Sequence, residues 1–184
     1  MKNPDLLTSS YDYDFDESLI AARPAEPRDQ SRLLVYHEAE DRIEHRIFKD
    51  LPEILSSGDQ LVFNQSKVYP CRLLARKASG GKAELFLLSL ESTEGQYPVM
   101  IKSNGKKHIG DQYFLGDFSF SIKSRGEGAV FWGEFNISSN ELLNLLESQG
   151  QVPIPPYIRD GKADEQDKSD YQTIYAQNTG SVAA

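Results

Sequence analysis

From Tyr69 onward the apolar residues recur at every second position, and this alternation fills the middle of the chain. "CRLLARKASGGKAELFLLSL" predicts two strands around Ser79-Gly80-Gly81, a tight hairpin signal. "YPVMIKS" and "QYFLG" predict two more short strands. "FSFSIKSRGEGAVFWGEFN" predicts another hairpin, in which Phe118, Phe120 and Ile122 alternate before the Gly126-Glu127-Gly128 turn. Five or six short strands with turns at this spacing predict a small antiparallel barrel. The period then changes to that of a helix in "SSNELLNLLESQG". Ser138 and Glu141 form a capping box, Leu142, Leu145 and Leu146 share a face, and Gly150 ends the run.

The flanks read differently. "DESLIAARP" predicts a short helix opened by Asp16 and ended by Pro24. "SRLLVYHEAEDRIEHRIF" predicts two strands around a polar turn. "KDLPEILSSGDQLVFN" predicts a helix capped by Asp50, with Pro52 and Glu53 in its first turn and Gly58 as its stop. Leu61-Val62-Phe63 follows as a buried strand. Tyr171, Ile174 and Tyr175 fall at helical spacing, so a helix is expected near residues 168 to 177, with a Gly-Ser turn after it. The fold class is thus an α/β domain interrupted by a small antiparallel β-barrel insert. No internal repeat or low-complexity stretch is present.

Composition bounds the class. With 184 residues, 39% hydrophobic and 26% charged, the chain can bury a core and has the balance of a soluble globular protein. No apolar run approaches the ~20 residues that cross a bilayer. The N-terminus lacks the apolar core of a signal peptide and the Arg-rich pattern of a transit peptide. Cys71 is alone, so an internal disulfide is excluded. These exclusions lead to the expectation of a cytoplasmic address.

The net charge of −8 argues against a nucleic-acid binder in bulk, but its distribution changes the picture. Residues 67–108 carry eight Lys or Arg against three acids, a segment of net +5 in an acidic chain. Such a module can meet phosphates locally, and an evenly solvated basic face is the competing reading. Ser79-Gly80-Gly81 lacks the helix that should follow a phosphate cradle, which favours a plain turn. His37, His45 and His108 show no metal-ligand spacing among themselves or with Cys71, and no metal is expected. "VPIPPYI" is stiff and apolar. It can dock in the core or present Tyr157 as a stacking platform for a base. The acidic run "DGKADEQDKSD" reads as a solvated loop. No nucleophilic triad, paired-carboxylate signature or nucleotide fingerprint is present.

Four stretches, in order, resemble the S-adenosylmethionine:tRNA ribosyltransferase-isomerase family of queuosine biosynthesis. They are "YDFDESLIAARPAEPRDQSRLL", "GDQLVFNQSKVYPCRLLARKASGGKAELFLL", "GQVPIPPYI" and "DYQTIYAQNTGSVAA". The resemblance implies an α/β domain in two parts, residues 1–66 and 151–184, around a barrel insert at residues 67–150. In that family the final Gly-Ser-Val-Ala-Ala run continues into Pro-Thr-Ala-Gly and a long further half. The chain therefore resembles an N-terminal portion, in which the α/β part is expected to be incomplete and inactive alone.

The family's reaction, by the same resemblance, moves the ribosyl group of S-adenosylmethionine onto 7-aminomethyl-7-deazaguanine at the tRNA wobble position. The ribose is isomerised to give epoxyqueuosine, and adenine and methionine leave. The implied partners are that tRNA and S-adenosylmethionine, the latter as ribosyl donor, with no metal. A sulfonium acidifies the neighbouring carbon for a general base, and the departing adenine needs a proton donor. Arg28, Asp29, Arg32, Asn64, Lys67, Tyr171, Gln172 and Tyr175 match family motif positions, and Tyr157 joins them as a stacking candidate. They offer the donors a carboxylate needs, the acceptors a ribose needs and faces for a base. Lys67 stands where the commoner pattern has Arg, a point charge in place of a fork. Arg72, Arg76, Lys77, Lys82, Lys102, Lys106 and Lys107 are the RNA-binding candidates. Two functions of different class follow. One is the transferase-isomerase, and the other is a noncatalytic RNA-binding β-barrel module left by truncation, which turnover separates.

Overall fold

A computed structural model describes residues 4–181. Its centre is a closed barrel of six antiparallel strands: β4 (Arg72–Lys77), β5 (Lys82–Leu87), β6 (Tyr97–Ser103), β7 (Gln112–Leu115), β8 (Phe118–Arg125) and β9 (Val130–Phe135). Three further strands precede them, namely β1 (Arg32–His37), β2 (Arg42–Ile47) and β3 (Ser66–Val68), and β10 (Asn178–Ser181) follows. Around the barrel the order is β4-β5-β6-β9-β8-β7, closed by Arg76 and Lys77 of β4 pairing with Phe114 and Tyr113 of β7. The hairpin expected at Ser79-Gly80-Gly81 is present, and Gly80 takes the left-handed φ of 81° that the turn needs.

Alternation does what it predicts. Leu73, Ala75, Ala83, Leu85, Leu87, Tyr97, Val99, Tyr113, Leu115, Phe120 and Ile122 all point inward and are buried. Fully burying a Leu, Val or Phe is worth about 1.5–3 kcal/mol, so this set is the main store of stability. Phe120 and Phe135 lie 5.0 Å apart between ring centres, with Tyr97 edge-on to Phe135 at 5.8 Å. Gly133 makes room for them. A Cβ there would meet Ser121 O at 2.2 Å and the Phe120 ring at 2.4 Å.

One end of the barrel is plugged. Helix α2 (Ser139–Gln149) begins at the predicted capping box, in which Glu141 N–H donates to Ser138 Oγ and Ser138 N–H donates to the Glu141 carboxylate. The helix sets Leu142, Leu145 and Leu146 into the barrel core, and Tyr97 Oη and Ser139 Oγ share a hydrogen bond of 2.9 Å. Gly150 ends it at an ordinary φ of −68°. Glycine is required there because a Cβ would stand 2.1 Å from Pro70 O.

The flanks depart from the prediction in several places. β1 and β2 pair as expected, but "DESLIAARP" forms only a 3-10 turn at Glu17–Leu19, with Ser18 N–H donating to Asp16. Leu19 stays exposed, so a longer helix would have had no apolar face to bury. Helix α1 (Leu51–Ile54) is a single turn that ends at Leu55, before Gly58. Leu61-Val62-Phe63 is neither a strand nor buried, and Val62 is 94% exposed. Among the described residues no strand pairs with it, and an apolar run without a partner has nothing to take up its backbone groups. The helix expected near 168–177 shrinks to α3 (Asp167–Asp170). Tyr171 leaves helical geometry, and Gly180 and Ser181 lie in β10, parallel to β3, in place of a turn. The terminal Val182–Ala184 run lies outside the described residues.

"VPIPPYI" docks. Val152 and Ile154 bury against Val68, with Ile158, Ala163 and Tyr171 packed on them as a second small core outside the barrel. Replacing Gly133 by Ala should lower stability by about 1–3 kcal/mol or more, because the barrel wall cannot move away from Phe120. Chemical denaturation checks this, and an unchanged midpoint would show that the wall at Gly133 is soft.

Candidate functional site

The sequence candidates outside the barrel divide into those that share a cavity and those that do not. Arg28, Asp29 and Tyr175 line one cavity of about 240 Å3 with Pro24, Ser31, Phe48, Thr173 and Ile174. Its walls come from three places: the 3-10 turn Arg28–Gln30, the turn after β2, and the irregular chain after α3. Arg28 holds two of these walls together. Its guanidinium donates to the carbonyls of Asp170 at 2.7 Å and Ser169 at 3.2 Å, completing the orphaned end of α3. Ser31 Oγ closes the preceding turn on Arg28 O at 2.6 Å. Asp29 is exposed, and Tyr175 packs its ring 4.3 Å from that of Phe63 at a tilt of 37°.

A second cavity of about 220 Å3 lies on the far side of Pro24, lined by Ala21, Ala22, Arg23, Ile154, Ile158, Asp167, Asp170 and Tyr171. Here the acidic run departs from a solvated loop. Arg23 pairs with Asp164, with Asp167 at 3.0 Å and with Asp170 at 3.1 Å, and Arg159 pairs with Asp164 and Asp167. Asp167 is 3% exposed, and its second oxygen accepts from Asp164 N–H at 2.7 Å. The hydrogen bond from Arg23 holds the Asp164 carboxyl below its ordinary range. Sequence reasoning missed this clasp because Arg23 lies more than 140 positions from its three aspartates. The available signal was the spacing of Asp164, Asp167 and Asp170, which falls on one face of a helical turn.

The remaining candidates lie elsewhere. Arg32 is exposed on β1 and Lys67 on β3. Asn64 accepts from Ser66 N–H at 2.9 Å in a local turn, and Tyr157 stands 66% exposed on a turn. Tyr171 packs on Val68, Val152 and Ile154, and burial raises its phenol. Gln172 imitates a strand: its amide accepts from Val68 N–H and donates to Val68 O, each at 2.8 Å. Cys71 is buried in the barrel core, which pushes its thiol up to about 11. His37 binds Glu44 at 3.0 Å, and Arg46, His37 and Arg42 together lower the Glu44 carboxyl to about 2. Among the described residues no group of three or more His, Cys, Asp or Glu is placed to hold a metal, and no helix is long and apolar enough to cross a membrane.

The basic side chains of the barrel gather around two concavities of about 550 Å3 each. Lys77, Lys82 and Lys102 border one, and Lys106, Lys107 and Arg125 border the other. Arg76 is exposed on the outer face of β4, near Gly80 O. Arg72 is the exception in this group. Its guanidinium is taken up by Glu84 at 2.9 Å and by the Gly161 carbonyl, which ties the barrel to the returning segment.

Truncating Gln172 to Ala should leave both polar groups of buried Val68 without a partner. The expected loss of stability is about 1–3 kcal/mol, measured by chemical denaturation. An unchanged midpoint would mean that β10 alone holds β3.

Comparison with known proteins identifies the family. A family model described as "Queuosine biosynthesis protein" matches residues 8–184. The S-adenosylmethionine:tRNA ribosyltransferase-isomerase of Thermosipho melanesiensis is 39% identical over 183 residues, covering 96% of this chain and 50% of its own. The protein of the same name from Symbiobacterium thermophilum is 41% identical over 180 residues, covering 96% and 51%. The crystal structure of S-adenosylmethionine tRNA ribosyltransferase from Thermotoga maritima is 34% identical, covering 82% of this chain and 54% of that one, with a TM-score of 0.36. The chain thus spans about half the length of the curated relatives it matches. With the family match running from residue 8 to residue 184, the chain belongs to the queuosine biosynthesis protein family.

Proposed function

We propose that this chain is part of an S-adenosylmethionine:tRNA ribosyltransferase-isomerase. The enzyme transfers the ribosyl moiety of S-adenosylmethionine to 7-aminomethyl-7-deazaguanine at the tRNA wobble position and isomerises it, giving epoxyqueuosine in the cytoplasm. The observation that carries this reading is identity of about 40% across nearly the whole chain to relatives of that name. The cavity between Arg28 and Tyr175 is the place we assign to the donor.

Each wall has a role in that proposal. Tyr175, braced by Phe63, offers an aromatic face to adenine. Asp29 accepts from ribose hydroxyls at the cavity mouth. Arg28 positions the walls through its carbonyl contacts. Arg32, one residue beyond Ser31 of the wall, supplies a cation for the amino-acid carboxylate. Tyr171 and Gln172 act through packing, since Tyr171 lies on the second core and the Gln172 amide is taken up by Val68. The sulfonium supplies the electrophilic activation, so the protein's work is to orient the ribose, remove one proton beside the sulfonium and let the departing adenine take one up.

The test uses a full-length relative incubated with S-adenosylmethionine and tRNA bearing 7-aminomethyl-7-deazaguanine, with adenine release and the mass of the modified nucleoside as readouts. Ala at the position matching Asp29 should cut kcat/KM at least tenfold without lowering thermal stability. Unchanged kinetics would remove the donor from this cavity. The 184-residue chain alone should give no sustained adenine release. A rate comparable with a full-length relative would place all the chemistry within these residues.

A further inference from the structure

The register of the barrel sorts its loops by end. β4 runs toward Lys77 and β5 starts at Lys82, while Ala83 pairs with Ser103 at the close of β6. Lys77 pairs with Tyr113 near the start of β7, and Arg125, closing β8, pairs with Phe131 near the start of β9. The 78–81 turn, the 104–111 loop and the 126–129 turn therefore share one rim. The chain enters and leaves at the other end, where Cys71 N–H reaches back to Tyr69 O and Gln151 bridges Arg72, and there α2 inserts its leucines. One end is plugged, and Gln172, next to the Thr173–Tyr175 wall of the cavity assigned to the donor, is tied to Val68 just before the chain enters the barrel there. The other end is free.

The free rim is where the cations collect. Lys77, Lys82 and Lys102 surround one concavity, with Glu84 as the acid on its wall. Lys106, Lys107 and Arg125 surround the other, with His108 and Phe131. Lys77 and Lys107 steady the loop through the carbonyls of Asn104 at 2.9 Å and Ser103 at 2.8 Å. Lys82, Lys102 and Lys106 are exposed and carry no ion pair among the described residues. Elsewhere lysines do pair: Lys123 with Glu134, Lys162 with Asp160 and Lys168 with Glu165. Arg125 lies over the Phe131 ring at 5.8 Å, a planar cation of the kind that stacks on bases and binds phosphate. The same rim carries Asp111 and Glu127 besides Glu84, so Lys77, Lys82, Lys102, Lys106, Lys107 and Arg125 outnumber its acids. A net-cationic rim in a chain of net charge −8 has a polyanion as its complement.

We propose that this rim grips the phosphate backbone of the substrate tRNA at a point remote from the nucleoside being modified. The proposal rests on the function proposed above and adds a second, distal foothold to it. Strands of six residues at about 3.3 Å each set the rim roughly 15–20 Å from the plugged end, so the two footholds touch different stretches of RNA. The barrel then acts as a spacer that sets which nucleoside reaches the donor cavity.

The test is the salt dependence of tRNA binding by the chain. In the triple variant Lys82→Glu, Lys102→Glu, Lys106→Glu, affinity at about 0.1 M salt should fall at least tenfold. The slope of log K against log salt should shrink by about 2–3, near one per lost phosphate contact. The charge-matched variant Lys49→Glu, Lys162→Glu, Lys168→Glu, away from the rim, should stay within about threefold of wild type. Hydroxyl-radical footprinting should show the lost protection at phosphates away from the modified position. Equal losses in both triples, or lost protection at the modified nucleoside itself, would overturn the proposal. Wild-type tRNA binding that the rim triple leaves intact would overturn the rim and leave the function standing. A wild-type chain with no affinity for tRNA would count against both. The same substitutions to Gln, which remove the three contacts without adding repulsion, should give a similar change in slope with a smaller loss of affinity, and circular dichroism confirms the fold of each variant.

Discussion

Closure of the β7–β4 seam is the constraint on which the rest of the molecule depends. With Arg76 and Lys77 paired to Phe114 and Tyr113, six strands leave no free edge in the barrel, and every hairpin must turn at one of two rims. The inward positions then fill a single core. Because the chain enters near Cys71 and departs past Phe135, α2 has only one rim to cover, and its capping box and three leucines place it there. The cations that cannot enter the core are left on the other rim.

Outside the barrel the balance changes from apolar burial to polar ties. Val68, Val152 and Ile154 make a small core, and long-range hydrogen bonds supplement it. Gln172 braces Val68, Arg28 caps α3, Arg72 fastens the 159–161 turn, and Arg23 holds three aspartates. Each such bond nets about 1 kcal/mol, so the cavity lined by Arg28 and Tyr175 is built on the less stable part of the molecule. Leu34, Tyr36 and Ile43 remain exposed on one face of β1–β2, consistent with a flank that adds little burial of its own.

What was legible in the sequence follows from this division. The hairpins, the barrel and α2 could be read because their signals are local: alternation, Gly80 in its turn, and Ser138 three residues before Glu141. Leu61-Val62-Phe63 misled because an apolar run specifies burial only when another element faces it. The stripe Tyr171, Ile174, Tyr175 misled because Gln172 reaches Val68 from a non-helical turn, an energetic preference set 104 residues away. The acidic run looked solvated because Arg23 lies more than 140 residues from its aspartates, while Arg159, five residues from Asp164, was in view and its pairing went unread. Of the site candidates, motif position brought Arg28, Asp29 and Tyr175 to one cavity, while Gln172 and Arg72 turned out to be fasteners.

Amide hydrogen exchange of the free chain tests the central claim most directly. If the closed barrel is the stable body on which the flanks are tied, amides of β4–β9 and α2 should exchange only through global unfolding. Those of β1, β2 and the 171–177 segment should exchange orders of magnitude faster, through local opening. A single common opening free energy for barrel and flanks would contradict the account.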